Sequence, residues 1–229
     1  MGSRPIKIAI DGPAASGKST TARELARRLG YLYIDSGAMY RAVTLKALKE
    51  GIPTTDAQKV AQLAETCHIE FRPNDHQTIV LLDGEDVSEQ IRSPEVNIHI
   101  NPVAANPRVR EILVKKQQEM GRRGGVVMDG RDIGTVVFPD AELKIYMEAT
   151  AEERARRRLK ELREKGVDID YDTVYQEILT RDRSDLTRKH GPLRKAPDAI
   201  VLDTTHMSIA EQVDKIYQLA LQKIRELDP

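Results

Sequence analysis

The stretch Gly12-Pro13-Ala14-Ala15-Ser16-Gly17-Lys18-Ser19 fits the spacing G-x-x-x-x-G-K-[ST] at every specified position, and Thr20 continues it. Two glycines at that spacing let the backbone curl closely around a string of phosphates with its amides pointing inward. A helix opening at Lys18 adds the positive end of its dipole. Lys18 then reaches the β- and γ-phosphates, and the Ser19 hydroxyl is the natural ligand for Mg2+. Gly12 to Thr20 is therefore the expected site for ATP and its Mg2+. The plainer alternative is a glycine-rich turn that only caps a helix; the flanking strand and helix patterns favour the nucleotide. No Asn-Lys-x-Asp element follows to read guanine, which argues against a GTPase.

Phosphoryl transfer depends on positioning and charge neutralisation, so an anionic acceptor calls for arginines at strand ends and helix starts. Such clusters recur: Asp35-Ser36-Gly37-Ala38-Met39-Tyr40-Arg41, then Arg108-Val109-Arg110, then Asp129-Gly130-Arg131-Asp132. Asp129 directly follows an apolar run and is a candidate outer-shell partner of Mg2+. Asp35-Ser36 also suits a helix cap, and Arg108 a solvated surface charge.

The elements that must hold these groups are legible as apolar runs. Five recur, at Ile6 to Ile10, Tyr31 to Ile34, Val126 to Met128, Leu143 to Met147 and Ala199 to Leu202, separated mostly by helical patterns. That alternation predicts a doubly wound α/β fold with a five-stranded parallel sheet, whose ligands lie beyond the strand carboxyl ends. Asn106-Pro107 starts a helix running to about Arg122, ended by Gly124-Gly125. Thr150 with Glu153, and Ser208 with Glu211, fit capping boxes. The last helix, about Ile209 to Leu227, lines up Ile209, Val213, Ile216, Ala220 and Ile224 on one face against the sheet. From about His68 to Ile100 the rhythm changes to strict alternation with an Asp83-Gly84 turn, which predicts a small antiparallel insertion.

Glu152 to Lys160 is the most basic stretch, with Arg154, Arg156, Arg157 and Arg158 among acidic residues. Glu153 and Arg157 pair at helical spacing. The stretch reads as a helical lid whose arginines, Arg157 foremost, close over the triphosphate and exclude water. Nucleic-acid binding is disfavoured: the 229-residue chain carries 36 lysines and arginines against 36 acidic residues, and no aromatic interleaves this stretch. No apolar run reaches membrane-spanning length, Met1-Gly2 lacks the rest of a myristoylation signal, and the lone Cys67 fits a reducing compartment. A cytoplasmic protein without membrane or nucleic-acid partner is expected. Histidines at 68, 76, 99, 190 and 206 show no metal-ligand spacing, and Tyr40 alone among the tyrosines is a candidate for the acceptor pocket.

The chain resembles the bacterial cytidylate kinase family of nucleoside monophosphate kinases over nearly its whole length. The resemblance rests on Ile10 to Ser19, Asp35 to Arg41, Pro107-Arg108-Val109-Arg110, Asp129 to Thr135, and Arg181-Asp182-Arg183-Ser184-Asp185. It implies an ATP-dependent kinase for CMP, with dCMP as a second acceptor, and places Ser36, Arg110, Asp132 and Arg188 around cytosine; a monomer is expected. It further implies that Arg41 and Arg131 grip the monophosphate, that Arg181 and Asp185 meet the ribose hydroxyls, and that Lys18, Arg131, Arg157 and Arg181 serve catalysis. Asn101 stands where some members place a serine near the base, which leaves the balance of CMP and UMP open. Physically, a carboxylate such as Asp132 can accept from the exocyclic amine of cytosine, where uracil offers a carbonyl. The implied division is a core at 1–67, a monophosphate-binding insertion at 68–100, core at 101–150, a lid at 151–167 and core at 168–229. The rival readings are a small kinase for UMP, AMP or a shikimate-type alcohol, and an ATPase switch.

Overall fold

The computed structural model describes residues 4–74 and 78–228; His76 and Met1-Gly2 lie outside them. Strand β1 (Lys7–Asp11) leads through the phosphate-loop segment into α1 (Lys18–Leu29), then β2 (Leu32–Asp35), α2 (Ser36–Lys49) and α3 (Ala57–Thr66). Three short strands follow, β3 (Ile69–Pro73), β4 (Thr78–Leu82) and β5 (Glu85–Asp86), then a 3-10 turn at Gln90–Arg92. Next come α4 (Pro94–Ala105), α5 (Pro107–Met120), β6 (Val126–Gly130) and a π-helical turn at Ile133–Val137. The chain closes with β7 (Leu143–Glu148), α6 (Ala151–Glu164), α7 (Tyr171–Thr187), β8 (Ile200–Asp203) and α8 (Ile209–Leu227).

The five predicted strands form one parallel sheet in the order β2-β6-β1-β7-β8, and β3-β4-β5 form a separate antiparallel sheet. β1 is central and must be apolar on both faces. Its Ile8 and Ile10 join Leu25 of α1 and Ile216 and Ala220 of α8, while Ala9 joins Met39 of α2 and Leu113 of α5 on the opposite side. Register aligns Asp11 with Gly130 and Asp35 with Asp129, so the chemistry-bearing residues of three strands end at one edge.

Caps account for most boundaries. Asn106 accepts from the amides of Arg108 and Val109, and Ser208 forms a full capping box with Glu211. Some expectations shift. α5 ends at Met120, where Gly121 serves as C-cap, rather than running on to the glycine pair. Thr150 makes only its own half of a box, accepting from Glu153 N. Along α8, Val213, Ile216, Ala220 and Ile224 are buried, but Ile209, on the first turn, is exposed because it faces the open cleft. α4 runs unbroken across residue 100, with Pro102 inside it. Among the described residues no helix is long and apolar enough to cross a membrane.

Candidate active site

Beyond the carboxyl ends of β1, β2 and β6 opens a cleft of about 940 Å3. Twelve lysine and arginine side chains line it against seven carboxylates. The phosphate loop forms its floor: Ala14, Ala15, Gly17, Lys18, Ser19 and Thr20 face the cleft, whereas Gly12, Pro13 and Ser16 lie beneath. Gly12 runs so close to β7 that a Cβ there would strike the Met147 carbonyl oxygen, which only glycine avoids. Ser16 Oγ and Lys18 Nζ both donate to the Pro13 carbonyl, at 3.0 and 3.1 Å. Burial, joined by the Arg131 cation, pulls Lys18 down to about 7.

At the loop's edge Ser19 Oγ donates to Asp129 Oδ2 at 2.7 Å, and Tyr33 Oη donates to Asp129 Oδ1 at 2.8 Å. Burial, helped by nearby Asp35, raises the Asp129 carboxyl, while Lys18 and the two hydroxyls oppose the rise. This hard, oxygen-only pair suits Mg2+, which takes one or two protein oxygens and completes its shell with phosphates and water. No set of three His, Cys, Asp or Glu forms a metal cage among the described residues.

Across the cleft, Ser36 Oγ donates to the Asp129 carbonyl at 2.7 Å. Arg110 and Asp132 form a buried ion pair beside the Tyr40 ring, whose centroid lies 5.5 Å from the guanidinium. Burial raises the Asp132 carboxyl against the pull of Arg110, and burial likewise lifts Tyr40 to about 12. Gly191, in a left-handed conformation at φ 58°, closes over this pair; a Cβ there would overlap both side chains. Asp185 accepts from Arg131 Nε at 2.6 Å and from Arg188 Nη2 at 2.7 Å. Burial works against its charge, but Arg131 and Arg188 outweigh that and hold it below the usual carboxylate range. Arg181 keeps an exposed flank in the open cleft, and burial of its inner side plus the Arg131 cation lowers it to about 10. Arg41 donates to Asn97 Oδ1 at 2.6 Å and to the Ile91 carbonyl at 3.3 Å.

Ser36, Arg41, Arg110, Arg131, Asp132, Arg181, Asp185 and Arg188 thus share one cleft with Lys18 and Ser19. Asn101 does not join them: it is exposed on α4, where its neighbours Ile100 and Ala104 face the cleft instead. In the arginine-dense helix the residues divide. Arg157 donates to the Thr204 carbonyl at 2.5 Å and to Glu153 at 3.1 Å, and it lines the cleft. Arg154 is buried in a bidentate pair with Asp182, at 2.9 and 2.6 Å. Arg158 lines the cleft and pairs with Glu161 at 2.8 Å.

Tyr33, Arg92 and Gln212 also line the cleft without having been expected there. Arg92 reaches Asp35 at 3.3 Å, and Gln212 accepts from Thr21 Oγ1 at 2.7 Å, bracing the helix that follows the phosphate loop. For Tyr33 the sequence offered only its place two residues before Asp35 in an apolar run; its approach to Asp129 follows from the register that sets it opposite Val127. Arg92 and Gln212 carry no signal, being single polar residues in a turn and on a helix.

The cytidylate kinase family model matches residues 8–222. A cytidylate kinase of Caldicellulosiruptor bescii is 51% identical over 222 residues, covering 97% of this chain and 98% of its own length. One of Bacillus velezensis is 50% identical, covering 97% and 99%. One of Phocaeicola vulgatus is 54% identical, covering 91% and 93%. With its phosphate loop and an arginine-rich wall in one cleft, and with matches of this length, the chain belongs to the cytidylate kinase family.

Proposed function

We infer that this chain transfers the γ-phosphoryl group of ATP to CMP, giving CDP and ADP. The observation that carries the reading is the Arg110–Asp132 pair set across one cleft from Lys18. Loop amides and Lys18 hold the donor phosphates, and Ser19, with Asp129 as its outer-shell partner, would hold Mg2+, which would supply charge neutralisation there. Lys18 gains its full charge as the triphosphate arrives, because anionic oxygens offset the cost of its burial. Arg41 and Arg131 align the acceptor phosphate in line, and Asp132 accepts from the cytosine amine. Arg181 and Asp185 read the ribose, with dCMP as a second acceptor. No general base is required, because the attacking phosphate oxygen is already anionic.

Residues 68–100 serve as the monophosphate-side insertion, and 151–167 as a lid in which Arg157 covers the transferring group. The working form is a cytoplasmic monomer. The test is ADP release with CMP, dCMP, UMP, AMP, GMP, shikimate or no acceptor. CMP should stimulate release most strongly, with dCMP next. Release indifferent to CMP sinks the reading, and stimulation by AMP alone redirects it to another acceptor.

A further inference from the structure

Asp11 ends β1 one residue before the phosphate loop, and no step above uses it. Asp11 is 4% exposed and, among the described residues, meets no cation at hydrogen-bond distance. Instead Oδ1 accepts from Ile133 N and Oδ2 from Gly134 N, both at 2.8 Å. These amides open the π-helical turn at Ile133–Val137, directly after Arg131 and Asp132, where backbone donors have no partner within the turn.

The natural provider of such a cap is the preceding side chain, which is Asp132. Asp132 makes no cap bond, because its carboxylate is turned toward Arg110. Asp11 therefore does from a neighbouring strand what Asp132 would otherwise do locally. Burying a carboxylate without a cation is costly, so a residue serving only to fill this space would be apolar.

We propose that Asp11 is a positioning residue: by capping the turn at Ile133 and Gly134 it frees Asp132 to face Arg110 and the acceptor base, and it ties that acceptor segment to the strand feeding the phosphate loop. The proposal rests on the reading of Asp132 as a contact to CMP. Without Asp11, Asp132 swings back to cap its own turn and leaves the base unread. Burial lifts Asp11 to about 7, with Asp132 adding to the rise and the two amides and Lys18 of α1 opposing it; Tyr146 of β7 also faces it. The clamp consequently slackens as pH falls through that value, since a protonated carboxyl cannot accept fully at both oxygens.

The experiment is steady-state kinetics of Asp11→Asn at about pH 8, where the native carboxylate is charged. KM for CMP should rise about tenfold while KM for ATP stays within about twofold, the loss of roughly one charge-assisted hydrogen bond falling on one substrate. KM values that are unchanged, that rise equally, or that rise for ATP alone overturn the proposal. Should the variant not fold, the Ile133 and Gly134 amides of the native protein give the answer by NMR. They should exchange slowly and shift with a midpoint near 7; fast exchange, or shifts indifferent to pH, overturn it. A native protein inactive on CMP would sink the functional reading, while these amides would still report whether the clamp exists.

Discussion

Asp185 places one carboxylate between two guanidiniums, Arg131 at 2.6 Å and Arg188 at 2.7 Å, so it holds both arginines in place, and the proposed function makes it a ribose reader as well. Changing it to Ala should weaken use of CMP more than dCMP, since only CMP offers the 2′-hydroxyl. Steady-state KM values for both acceptors check this. Equal losses would leave Asp185 acting only through its arginines. Many site residues were legible because they sit in contiguous words of fixed spacing, as Lys18 and Ser19 do in the phosphate loop. Ser36, Arg110, Asp132 and Arg188 became legible through family resemblance. Tyr33 and Asp11 were not assigned roles, because each acts on a group that only folding brings near: Asp129 is 96 positions from Tyr33 and Ile133 is 122 from Asp11.

Between elements, α6 and α7 are clasped by Arg154 and Asp182, with the arginine also donating to the Ala14 carbonyl of the phosphate loop at 3.3 Å. The Arg154 side chain is only 6% exposed, so deleting it strands a charged partner in a partly buried place. Arg154→Met should lower unfolding free energy in urea by about 3 kcal/mol. Adding Asp182→Leu should recover part of that, because the stranded charge is then gone; a strictly additive double variant would show that the clasp contributes nothing. Helix starts were readable at this scale, since Asn106 and Ser208 cap through their own side chains. Helix faces were less so. Ile209 fits the apolar stripe by period, but its first-turn place on α8 sets it against the open cleft rather than the core, and period alone does not show where a cleft opens.

Over the whole molecule, the buried groups set opposing slopes of stability against pH. Asp11 ionises at about 7 when folded against 3.8 unfolded, so between those values only the folded chain holds the proton, and raising pH removes stability. Lys18 runs the other way, about 7 folded against 10.5 unfolded, so above about 7 only the unfolded chain holds the proton and raising pH restores stability. Raised Asp129 and Asp132 add to the falling limb. Unfolding free energy of the unliganded protein should therefore pass through a minimum near 7, measured by urea titration across pH. Asp11→Asn should flatten the lower limb and Lys18→Met the upper one; a profile rising steadily through that region would contradict both assignments. The strand count and the two-faced core were evident from five apolar runs, whereas these protonation states depend on depths of burial that spacing does not encode.

The chain is neutral, yet its cleft presents five more positive than negative side chains, so the rest of the chain carries five more negative than positive ones. The positive excess is gathered at one mouth, which attracts polyanions. Nucleotides are drawn toward that mouth, which speeds capture at low ionic strength. Both products are anions as well, and the same field that hastens arrival holds them back on departure.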